Sequence, residues 1–138
     1  MLDMPLTLDE AHTVISAAHD HARRIGVQVT VAVVDEGGLL VALARMDGAP
    51  PISPQIAESK AVGAAVWLRE GDSLAQVHEQ RPGFFAQVDR LARMPIMPGA
   101  GSLLVRRGES VLGAVGVSGA LPDQDRDCAE AGLKALVP

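Results

Sequence analysis

Aromatic side chains are nearly missing from this chain of 138 residues, which has two Phe, one Trp and no Tyr. Without stacking platforms, recognition of single-stranded nucleic acid through aromatic faces is excluded. Basic residues are also scarce, with twelve Lys and Arg against seventeen Asp and Glu and a net charge of −5. Nucleic-acid binding needs concentrated Lys and Arg to displace counterions, and no such cluster occurs. The longest apolar run, Leu39–Ala44, has six residues, far too few to span a membrane. Met1-Leu2-Asp3-Met4-Pro5 shows neither a basic segment nor an apolar one after it, so no secretory signal is expected. The one cysteine, Cys128, has no partner for an internal disulfide. A cytoplasmic protein bound neither to nucleic acid nor to membrane is expected.

What the chain has instead is small and branched aliphatic residues: 21 Ala, 16 Val and 15 Leu. These let backbones approach closely and give flat helix faces suited to subunit contacts, so a homo-oligomer is expected. The length matches one domain spanning residues 1–138.

Thr7 and Glu10 form a capping-box pair. Behind it, Leu8, Ala11, Ile15, Ala18, Ala22 and Ile25 fall within about one third of a helical wheel. Gly26 ends this helix. The alternation through Val27–Val34, a turn at Asp35-Glu36-Gly37-Gly38 and the run Leu39–Met46 predict a hairpin. Ser53-Pro54 reads as N-cap and first residue of a second helix that ends near Gly71. A shorter helix opens at Asp72 or Ser73 and breaks at Pro82-Gly83. Beyond Phe84 the chain is hard to assign, and Pro95, Pro98, Gly99 and Gly101 shape a loop. Ser102–Arg106 and Ser110–Val117 make a second hairpin, and Asp123 caps a last helix with Asp125 and Asp127 in its first turn. The order α-β-β-α-α-β-β-α predicts an α+β layered fold with an antiparallel sheet of four or five strands.

Chemistry-bearing residues are few. Gly99-Ala100-Gly101 runs into a strand, without the helix and Lys-Ser/Thr of a phosphate loop, and reads as a tight turn. Cys128, with no basic neighbour in sequence, reads as a small buried hydrophobe rather than a nucleophile. His12 and His19 are seven residues apart on the first helix, roughly 10 Å along its axis, too far to chelate one ion. Lys60 lies in an apolar stripe with Ile56, Ala64 and Trp67. It either carries its ammonium out to solvent or presents it to an anion-binding pocket. Asp35 reads as bonded to its own turn, whereas Arg45 and Asp47 stand at a strand end where sheets present functional groups. Gly113 and Gly116, inside a strand, mark a close approach by a ligand or another backbone.

Val31–Gly38, Leu43–Ala49, Ile56–Ala61, Gly113–Gly119 and Asp125 with Ala131-Gly132 together resemble the GlcG/HbpS family. The blocks follow in matching order and spacing from about Leu6 to Leu136. The resemblance implies a profilin-like layered fold, usually in a homo-oligomer. Members of that family are associated with haem binding and degradation, iron sensing, glycolate-utilisation clusters and, as an appended domain, corrinoid adenosyltransferases of the PduO type. Where a Gly-Gly commonly precedes the third main strand, this sequence reads Pro98-Gly99-Ala100-Gly101-Ser102, so Gly99 and Gly101 are expected to shape the ligand pocket.

Three functions compete. In the first, haem or a related tetrapyrrole is held by one axial side chain, for which His19 is the candidate. Lys60 or Arg45 then meets the propionates. In the second, a small enzyme of isomerase or lyase type acts on a carboxylated metabolite. Lys60 and Arg45 bind the carboxylate, and Asp47 or His19 moves a proton. The third is an oligomeric scaffold without a ligand.

Overall fold

The structure, a computed structural model, describes residues 4–136. Its elements are α1 (Leu8–Ile25), β1 (Thr30–Asp35), β2 (Leu40–Arg45), α2 (Ser53–Trp67), α3 (Gly71–Gln80), α4 (Pro82–Asp89), β3 (Ser102–Arg107), β4 (Ser110–Ser118) and α5 (Pro122–Lys134). The four strands form one antiparallel sheet in the order β2-β1-β4-β3. None of the described helices is long and apolar enough to cross a membrane.

Local chemistry sets most of the element ends. At α1 the Thr7 hydroxyl accepts from Glu10 N–H and the Glu10 carboxylate accepts from Thr7 N–H, each at 3.0 Å. Gly26 closes that helix in the left-handed region, and Val27 N–H donates to Ala22 O. This cap takes up the start of the predicted first strand, which begins at Thr30 instead of Val27. The Asp35 carboxylate accepts from the N–H groups of Gly37 and Leu39, as its turn position required.

Two caps differ from expectation. Ser53 lies inside α2 rather than at its N-cap. Its hydroxyl donates to Pro50 O and sits 2.7 Å from that of Thr30, pinning helix to strand. In α5, Asp123 lies in the first turn, and Leu121 holds the N-cap with Pro122 after it. The shorter helix, α3, ends at Gln80, as the break at Pro82-Gly83 predicts, but Pro82 also begins a new element. It opens α4, because a residue without an N–H fits the first helical position.

The sheet separates two apolar layers. Val31, Val33, Val115 and Val117 face α1 and α5, whereas Val34 and Ala114 face α2, α3 and α4. Small residues let α2 lie directly on the strands. A Cβ on Gly116 would stand 2.2 Å from Ala57 O and 2.7 Å from Ala61 N. The close approach inferred for Gly116 is therefore that of another backbone.

Candidate functional site

Lys60 does not carry its ammonium out to solvent. It is 8% exposed, and its ammonium donates to Val117 O at 2.9 Å and to Asp125 Oδ2 at 3.2 Å. Asp125 is more deeply buried, and its other oxygen accepts from Ala120 N–H at 3.0 Å. Burial pushes the Asp125 carboxyl above its usual range, against the opposing pull of Lys60. The pair ties α2 to α5 around the end of β4.

Gly101 completes this joint. Its O accepts from Val117 N–H, and a Cβ there would stand 2.8 Å from the Lys60 ammonium nitrogen. Gly99 N–H donates to Gly71 O, at the start of α3. The Pro98–Ser102 loop is thus laid tightly against both helices. Ser102 ends it with a buried hydroxyl that has no hydrogen-bond partner.

The other sequence candidates lie elsewhere. Arg45 is exposed and donates through Nε and Nη2 to Ala49 O, across its own turn. Asp47 is exposed in that turn. His19 lies on α1, in the layer on the opposite face of the sheet from α2, with Nε2 3.2 Å from Ala44 O. A carbonyl only accepts, so that nitrogen carries the proton. Burial, before any other cause, lowers the His19 pKa, which keeps the ring neutral. The structure therefore brings Lys60 and Gly101 together, sets Gly99 against the start of α3 and Arg45 and Asp47 at the end of β2, and leaves His19 in the α1–β2 joint. Cys128 is fully buried, and its thiol is raised to about 11 by desolvation and then by Asp125 and Asp127. That makes it inert.

The scarce aromatic residues converge. The Trp67 and Phe85 ring centres are 4.4 Å apart, and Phe84 stands edge-on to both at 6.0 Å. The Arg81 guanidinium lies 4.0 Å from the centre of the Phe84 ring. Beside this cluster is a cleft of about 410 Å³ whose lining includes Val62, Val66, Trp67, Val88, Leu91 and Arg93. Leu91 is 86% exposed at its mouth. Arg93 donates to Gly38 O and to Glu58, fixing one guanidinium at the rim of an otherwise mostly apolar wall. Nothing in the sequence marked Leu91 or Arg93, because they follow α4 in a stretch without periodicity. No group of three or more His, Cys, Asp or Glu among the described residues could hold a metal ion.

The family model described as haem degrading protein HbpS-like matches residues 6–134. Protein GlcG of Escherichia coli K12 is 32% identical over 113 residues, 82% of this chain and 81% of its own length. A crystal structure of a Streptomyces reticuli HbpS double mutant superposes with a TM-score of 0.87 at 31% identity, covering all of this chain and 91% of that one. A crystal structure of a PduOC–haem complex superposes with a TM-score of 0.85 at 25% identity, over 96% of both chains.

Proposed function

The chain belongs to the HbpS-like family, and from that premise we propose that it binds haem or a related tetrapyrrole as a cytoplasmic homo-oligomer. The likeness over nearly the full chain to a protein solved with haem carries this reading. The apolar cleft beside Trp67 is where this chain fits such a ligand. Its volume of about 410 Å³ lies within the range of small-molecule sites. Val62, Val66, Val88 and Leu91 offer aliphatic contact to a macrocycle, and Arg93 offers a guanidinium to a propionate.

The bound group would supply a redox-active iron. No His, Cys, Met or Tyr is among the residues lining the cleft, so those residues hold the ring and its carboxylates but do not ligate the iron. His19 has its Nε2 committed to Ala44 O. Lys60 acts indirectly, by seating α2, which carries Val62, Val66 and Trp67. Arg45 and Asp47 stay open to solvent at the sheet end and remain candidates for contact with a charged group. The 21 Ala residues, which let helix faces approach closely, support self-association.

Titration with hemin tests the reading. A saturable shift of the Soret band is expected, weakened about tenfold or more by Leu91→Glu, which sets a carboxylate at the cleft mouth. No saturable shift in the unaltered protein overturns haem binding. Equal affinity in the Leu91→Glu variant overturns the placement. Sedimentation showing a 14.4 kDa species at micromolar concentration overturns the oligomer.

A further inference from the structure

Among the described residues, Leu68 is the one non-glycine with positive φ, at φ 53° and ψ 42°. That conformation is costly for any residue with a Cβ, and such residues concentrate where a site needs an unusual chain path. Here it turns the chain from α2 into α3. Beside this C-cap of α2 lies a second cleft, of about 510 Å³, lined by Trp67, Arg69, Glu70, Ser73, Leu104 and Arg106 as well as Leu68 itself.

The polar groups of this cleft are poorly matched with one another. Arg93, Arg107 and Arg126 each meet a carboxylate elsewhere. The Arg106 side chain makes no hydrogen bond or ion pair with any described residue, and that of Arg69 reaches only the neutral Ser73 hydroxyl, at 3.0 Å. The one carboxylate in the lining, Glu70, accepts from Leu104 N–H and so is anchored to the edge of β3. Two guanidinium groups therefore stand against one carboxylate. The first turn of α3 has no side-chain cap, and Asp72 on it turns to Arg126. The Ser102 hydroxyl behind this turn, 2% exposed and without a partner, is sealed from the cleft and is not part of it. A Cβ built on Gly71 would come within 2.7 Å of that hydroxyl. Unmatched cations and an uncapped helix start lack the same thing, an oxyanion.

We propose that this cleft is a second ligand site, for a small planar compound carrying one carboxylate or phosphate. Arg69 and Arg106 take the anionic group, and Trp67 with Leu104 takes the apolar part. Trp67 is the only lining residue it shares with the cleft assigned to the tetrapyrrole, so the two sites stand or fall separately.

The chain provides its own reporter, since Trp67 is its only tryptophan and it has no tyrosine. Haem-free protein is titrated with phenyl phosphate, with benzoate and with inorganic phosphate while Trp67 emission is followed. Phenyl phosphate or benzoate is expected to give a saturable change at millimolar concentration or below, and the tighter of the two identifies the anion. Inorganic phosphate is expected to displace it. Arg106→Gln is expected to weaken binding about tenfold, and Glu70→Gln to tighten it by removing the like charge. If Arg106→Gln alters the circular dichroism spectrum, Arg69→Gln carries the same expectation. The proposal is overturned if no probe saturates the unaltered protein, or if a folded arginine variant binds as tightly as it does.

Discussion

Lys60 and Asp125, 65 residues apart in sequence, form an ion pair 3.2 Å long whose side chains are only 10% and 4% exposed. Taking two charges out of water costs several kcal/mol each. Such a pair is therefore a better device for fixing geometry than a source of net stability. Its ammonium also holds the Val117 carbonyl. The registration of α2, α5 and the end of β4 thus depends on one side chain.

Removing one partner exposes that dependence. Lys60→Met keeps the length of the side chain but leaves Asp125 buried without its cation, and a loss of about 3–5 kcal/mol is expected. The double variant Lys60→Met, Asp125→Leu removes the orphan charge and is expected to recover most of the loss. Urea denaturation measures both. A single variant within about 0.5 kcal/mol of the unaltered protein would mean that the pair is open to water.

This pair also marks where sequence reasoning stops. Lys60 stood out because a charge in an apolar stripe breaks a local pattern. Asp125 did not, because an acidic residue in a first helical turn is already explained by the helix dipole. Pairing across 65 residues leaves no periodic trace. The Thr7–Glu10 box, the Gly26 stop and the Asp35 turn were legible because each closes within about four residues. The α4 helix was not, because Pro82-Gly83 reads equally as a stop and as a start. Both clefts owe their lining to segments that meet only after folding, so Arg93 and Arg106 carried no signal beyond their charge.

His19 gives stability a pH dependence. Burial holds its folded pKa below the ordinary value of 6.5, with Arg23 adding to the shift and the Ala44 carbonyl and Asp20 opposing it. For a group of lowered pKa, the unfolded chain binds the proton first as pH falls. The contribution is therefore complete above about pH 6.5 and is lost as pH drops through the lower folded value. His19→Gln keeps an N–H donor for Ala44 O and cannot titrate. Its stability is expected to fall less than that of the unaltered protein between about pH 7.5 and pH 5, measured by urea midpoints. Parallel losses would show that His19 does not titrate differently on folding.

The seating of α2 on β4 is open to the bluntest test. A methyl group at Gly116 would press on backbone atoms of α2, Ala57 O at 2.2 Å and Ala61 N at 2.7 Å, and ordinary contact begins only at 3.4 Å. Backbone cannot rotate aside as a flexible side chain can, so the helix must retreat by more than an ångström. With it would move Ser53 on Thr30, Lys60 on Asp125, and Trp67 in both clefts. Gly116→Ala is therefore expected to cost about 3 kcal/mol or more and to change the Trp67 emission. Gly26→Ala is the matched control. Nothing lies within 4 Å of a Cβ there, and only the left-handed backbone, φ 77°, opposes the change. A cost of about 1 kcal/mol and unaltered Trp67 emission are expected for the control. Thermal melts of the two variants decide between crowding and backbone strain. Equal losses would mean that α2 does not rest on Gly116 as closely as the sheet register implies.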